Sequence, residues 1–120
     1  MTRVQKACLA VWMLAFAVGT VTHIRDVLAN GWLPRPDAPL AIGIFWKALT
    51  LVDPFVVVLL ATRRRFGLAL GLTVMIIDVL VNSYVWYGQG VPGLAMAIQL
   101  QTLFLGFVLG SIAFLWHARA

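Results

Sequence analysis

The sequence predicts an all-α integral membrane protein, a four-helix bundle with both termini cytoplasmic. Three observations carry this expectation. First, 62% of the residues are hydrophobic and 11% are charged, against roughly 25% charged in soluble domains. Second, the apolar residues gather in four runs, at about 7–24, 40–61, 66–87 and 94–116. At about 1.5 Å per helical residue, each run approaches or exceeds the roughly 30 Å of a bilayer core. Third, the basic residues alternate between the ends of these runs. Arg3, Lys6, Arg63, Arg64, Arg65 and Arg119 fall on one side, and only Arg25 and Arg35 on the other. Positive charge concentrates on the cytoplasmic side of membrane proteins. The expected location is a bacterial inner (plasma) membrane. The length allows one domain, 1–120.

The first span follows a short basic head, Met1 to Lys6. Arg3, Lys6 and the triplet Ala15-Phe16-Ala17 have the outline of a secretory signal. Trp12 inside the run and the apolar sequence beyond that triplet favour an uncleaved span. Asn30-Gly31, Pro34, Pro36 and Pro39 mark a loop over about 25–39, because glycine and proline punctuate helices. The second span contains Pro54, which lacks an N–H and clashes with the preceding turn, so a kink is expected near Thr50. The turn at Thr62 to Arg65 is so short that spans two and three must be antiparallel neighbours. Gly67/Gly71 in the third span and Gly106/Gly110 in the fourth have the spacing of close-packing helix faces. Either pair is a candidate surface for a homodimer or a partner helix.

The basic residues sit at span ends rather than on one face, so no nucleic-acid partner is expected. The lone Cys8 forms no internal disulfide, and no Cys/His spacing suits a metal. No cofactor is implied, and no nucleophile triad or phosphate loop is visible. What remains is a set of polar residues inside the apolar runs. Asp78 and Asn82 lie one turn apart within the third span. An acid in the middle of a membrane span costs roughly 2.5–3.5 kcal/mol on insertion scales and tends to face protein and to be used. Thr20, His23 and Asp26 recur on one stripe of the first span, and Trp46, Thr50 and Asp53 on one stripe of the second. Gln99 with Thr102 supplies the fourth, and Gln101 lies nearby. Lipid cannot satisfy such groups, so all four stripes are expected to turn inward. They would build a polar pocket in the outer half of the bundle, rimmed by Trp32, Trp46, Tyr84, Trp86 and Tyr87.

The layout resembles the EXPERA family, which holds the emopamil-binding sterol isomerases and the sigma-two receptor. The stretches that carry the resemblance are THIRDVLANGWLP (Thr22 to Pro34), FWKALTLVDP (Phe45 to Pro54) and RRRFGLALGLTVMIIDVLVN (Arg63 to Asn82). The resemblance implies a pocket for a sterol-like or cationic amphiphilic molecule. It further implies that His23, Asp26, Asp53 and Asp78 are the acidic and basic groups of proton transfer, with Trp46 as a cation-stabilising ring. The chain departs from the family in its shorter first loop, its lack of Glu, and Gln99 and Gln101 in the last span.

Three functions compete. The first is a pocket protein that binds a lipid-like, sterol-like or cationic amphiphilic molecule, with isomerase-type proton transfer as an extension. Here Asp78, Asp53, His23 and Asp26 are the chemical groups, and Trp46, Thr50, Asn82, Gln99, Tyr84 and Trp86 contact the ligand. Two nearby carboxylates in a low-dielectric site do not easily ionise together, and aromatic rings attract a cation. The second is an accessory subunit docked through a glycine face. The third is a small proton-coupled transporter, which fits less well because the first span has no acid at mid-depth.

Overall fold

The computed structural model describes residues 1–119. It contains four long helices: α1 (Arg3–Asn30), α2 (Leu40–Thr62), α3 (Arg64–Ser83) and α4 (Ala95–Trp116). A π-helical turn, Tyr84–Gly88, extends α3. No strand occurs among the described residues. All four helices are long and apolar enough to cross a membrane. Each packs against its neighbours in sequence, and α1 also meets α4, which closes an up-and-down ring. Both ends of the chain therefore lie at one end of the bundle, where the Met1 ammonium donates to the Arg119 carbonyl at 2.7 Å.

The outside is apolar. Leu14, Val18, Leu28, Leu51, Leu80 and Leu103 are all exposed. This inverts the soluble pattern and is the build of a membrane protein. The interior core lies in the half that carries the termini. Trp12, Phe16, Val56, Leu60, Leu68, Val108 and Leu115 are buried together there. Phe104 meets Trp12 and Phe16 edge to face, at centroid distances of 6.3 and 5.7 Å.

The helix ends follow local chemistry. α1 is longer than the expected run of about 7–24. Thr2 accepts from the Gln5 backbone N–H, and the Gln5 side chain accepts from Thr2 N–H, a capping box that starts the helix ahead of the apolar run. At the other end Gly31 adopts φ 75° and its N–H reaches Val27 O at 2.7 Å. The polar segment His23 to Asn30 is thus helix, and the loop begins only at Gly31. Pro34 then lies on Gly43, where an added Cβ would come within 2.6 Å of the proline ring.

A single residue, Arg63, separates α2 from α3. The return is this tight because Gly67 lies directly on the last turn of α2. A Cβ there would stand 2.5 Å from Leu60 N. Gly71 faces the rings of Trp12 and Phe16, 3.1–3.3 Å from where its Cβ would be. The Gly67/Gly71 face is therefore filled from within the bundle. Gly106 and Gly110 have open space beyond them.

The arginines of the turn bind as well as bear charge. Arg64 donates to the carbonyls of Leu115 and Ala118, and Arg65 to that of Trp116 while stacking on its ring. The last carbonyls of a helix have no partner within it, and they favour a cation. The α2–α3 turn thereby fastens the end of α4.

Candidate functional site

Polar side chains enter the other half of the bundle from all four helices. Nearest the loop end, Lys47 Nζ donates to Asp26 Oδ2 at 2.5 Å, tying α2 to α1. Asn30 donates to the second oxygen of Asp26 at 2.9 Å. Lys47 thus belongs to Asp26, and not to Asp53, one turn and a half further down its own helix.

Asp53 lies deeper, about 20 Å along α2 from Leu40 at roughly 1.5 Å per residue. It is 6% exposed. Its Oδ2 is 3.7 Å from His23 Nε2, outside hydrogen-bond range. The carboxylate presses onto the backbone of α1 at Gly19, where a Cβ would stand 2.7 Å from Oδ2. Gly19 is therefore what admits an acid at this level. Its role had no signal in the sequence, where it is one small residue in an apolar run.

Asp78, 7% exposed, is held by a closed set of amides. Asn82 Nδ2 donates to Asp78 Oδ1 at 3.2 Å and to Gln101 Oε1 at 2.8 Å. Gln101 Nε2 donates to Asp78 Oδ2 at 3.1 Å. Trp46 Nε1 donates to Asn82 Oδ1 at 2.7 Å. One network thus joins α2, α3 and α4. Each carboxylate oxygen accepts one bond and has capacity for another. No hydrogen bond links Asp78 to Asp53.

Thr50 shares a face of α2 with Trp46 and Asp53, yet its hydroxyl has no partner at all. A second polar link lies outside the cluster, in the half that carries the termini. The indole of Trp12 donates to Ser111 Oγ at 2.9 Å, and Ser111 donates to the Phe107 carbonyl.

Two sequence expectations need correcting. Gln99 and Thr102 do not turn inward; both are exposed. The buried stripe of α4 runs through Ile98, Val108, Ser111 and Leu115, and Gln101 lies on it at the helical repeat. Gln99 sits two residues away, around the helix. The signal that could have found Gln101 was its register with Ser111, nearly three turns on. The aromatic rim is also divided. Trp46 is in the network, whereas Trp86 and Tyr87 line an external groove of about 440 Å³ with Gln99, Thr102 and Leu103. Tyr84 is exposed and accepts a bond from Gln89, so it belongs to neither place.

The loop closes over this end of the bundle. Arg35 pairs with Asp37 through two bonds of 2.8 and 2.6 Å and lies 5.8 Å over the Trp46 ring. The bond from the guanidinium holds the Asp37 carboxyl below the usual carboxylate range, and Asp37 raises Arg35 in return. No three His, Cys, Asp or Glu side chains gather as metal ligands among the described residues.

Fold and site together define a small bundle of four membrane-length helices with an acidic polar cluster in the half away from the termini. Comparison with protein-family models, with curated proteins and with solved structures finds no match.

Proposed function

We propose that the chain is a bacterial inner-membrane protein with cytoplasmic termini that binds a cationic amphiphilic or sterol-like molecule in this cluster. The observation that supports the reading is the charge count. Lys47, the cluster's permanent cation, is engaged by Asp26. Asp53 and Asp78 then face only His23 and neutral amides. Two buried acids without a dedicated cation favour a ligand that supplies one. Trp46 beside Asn82 adds an aromatic face for such a charge. The resemblance to the EXPERA family points to the same ligand class, and proton transfer by Asp53, Asp78 and His23 is the enzymatic extension of the reading.

The test is thermal stability of the detergent-purified protein, wild type and Asp78→Asn, with a panel of sterols, cationic amphiphiles and lipids. A ligand of the folded state raises the midpoint by mass action. The expected result is a rise in the wild type that Asp78→Asn abolishes. No rise with any ligand, in a variant as stable as the wild type, refutes the proposal. A specific observation favours a second reading, an accessory subunit. Gln99, Thr102, Gly106 and Gly110 are all exposed along α4, and a partner helix there would cover them. Co-purification of a partner lost in Gly106→Leu would decide for it.

A further inference from the structure

The unpartnered hydroxyl of Thr50 is the least explained group in the molecule. Thr50 is 8% exposed and its Oγ1 is fully buried. In a helix, threonine usually relieves such burial by donating to the carbonyl one turn back. Thr20, Thr22, Thr62 and Thr73 all do so here, at 2.8–3.0 Å. Thr50 does not bond back to Trp46. A buried hydroxyl without a partner costs on the order of 1–3 kcal/mol.

A second oxygen of the same residue is also released. The carbonyl of Thr50 would ordinarily accept from the residue four positions on, which is Pro54, and proline has no N–H to give. Three residues on, less than one turn from Thr50, stands Asp53, on the same face, pressed into the space that Gly19 leaves on α1. His23 stops 3.7 Å short of it, and Lys47 is committed to Asp26 at 2.5 Å. Two neutral oxygens of Thr50 and the Asp53 carboxylate thus lie within one turn of α2, with no cation of the protein's own hydrogen-bonded to the acid.

We propose that Thr50 and Asp53 form a binding site for a monovalent alkali cation, sodium in size. The donors are the Thr50 hydroxyl, the Thr50 carbonyl released by Pro54, and the Asp53 carboxylate. Oxygen donors select hard cations. A single carboxylate matches a single charge, and no cluster of three acid, His or Cys ligands is present among the described residues to favour a divalent or transition metal. Carbonyls freed at breaks in membrane helices hold sodium in the same manner in transporters. This site is separate from Asp78, whose oxygens are already held by Asn82 and Gln101.

The experiment is thermal unfolding of the purified protein during a sodium titration, with N-methyl-D-glucamine chloride keeping ionic strength constant and no amphiphile present. Lithium and potassium series run alongside. Wild type, Thr50→Val and Asp53→Asn are compared. Sodium is expected to raise the wild-type midpoint as the logarithm of its concentration. Thr50→Val keeps the shape and removes a hydroxyl that bonds nothing in the protein, so the variant folds. It is expected to weaken sodium binding by about tenfold or more, the range in which altering a metal site's support acts. Asp53→Asn is expected to abolish the response. A midpoint that is the same in sodium and N-methyl-D-glucamine overturns the proposal. So does a sodium response that both variants retain, or a Thr50→Val protein that is simply more stable in every salt. The amphiphile assay is run in N-methyl-D-glucamine without sodium, so either reading can fail while the other stands.

Discussion

Replacing Gln101 and Gln99 separately by leucine tests the organisation of the cluster at its most specific point. The two positions are two residues apart on one helix and receive the same change, so helix propensity and added apolarity nearly cancel between them. Gln101 makes two bonds, accepting from Asn82 at 2.8 Å and donating to Asp78 at 3.1 Å. Hydrogen bonds between membrane helices average about 0.6 kcal/mol and reach about 1.7 kcal/mol. Bonds to a charged group lie near 1.5–3 kcal/mol in soluble proteins. Gln101→Leu also leaves one oxygen of the buried Asp78 without its donor. The expected loss is about 1–3 kcal/mol. Gln99 is exposed and bonds nothing in the bundle, so Gln99→Leu should fall within about 0.5 kcal/mol of wild type. The assay is equilibrium unfolding in mixed micelles by titration with a denaturing detergent, followed by helical circular dichroism. A loss that is equal in the two variants, or larger for Gln99→Leu, would refute the inward register of α4 and with it the amide cage around Asp78.

Two further predictions concern the half that carries the termini. Ser111→Ala removes the acceptor of the buried Trp12 indole N–H and should cost about 1–3 kcal/mol, whereas Trp12→Phe with Ser111→Ala should cost less than the two separate losses added, because neither group is then left unpaired; a double-mutant cycle of unfolding free energies reads this coupling. Gly67→Ala places a methyl group 2.5 Å from Leu60 N and should destabilise by about 1–3 kcal/mol through overpacking. Gly106→Ala meets nothing and should be neutral or slightly stabilising through helix propensity of about 1 kcal/mol. Equal midpoints for these two variants would mean that the α2–α3 contact is looser than described.

The four helices were legible because length and apolarity dominate a membrane span, and these are linear properties of the sequence. The antiparallel return at Arg63 followed equally well from the shortness of the turn. Facing was legible where a helix carries few polar residues with a clear period, as for Trp46, Thr50 and Asp53 or for Asp78 and Asn82. It failed on α4, where apolar residues occur all round and two glutamines stand two apart. Only the partner on α3, Asn82, decides between them. The two glycine pairs look alike in sequence and differ only in what approaches them through space. The polar end of α1 read as loop because its composition is that of a loop. It is helix up to the Gly31 cap, and Lys47 reaches Asp26 there from α2, a contact that no local pattern reveals. The division of Lys47 and His23 between Asp26 and Asp53 is a matter of side-chain reach, and spacing alone left it open.

The division of the bundle into a polar half and a closed apolar half gives it a direction. From the loop end, charged and amide groups lead inward past Asp26 and Lys47 to Asp53 and Asp78. Beyond them stand Trp12, Phe16, Phe104 and the leucines of the core, and behind these the arginines of the α2–α3 turn, clasped to the end of α4. The run of polar groups ends blind. Under the proposed reading a ligand would reach the acids from the loop end and leave by the same end, so its occupancy would follow the composition of one compartment only. Net passage across such a bundle would require breaking the clasp first.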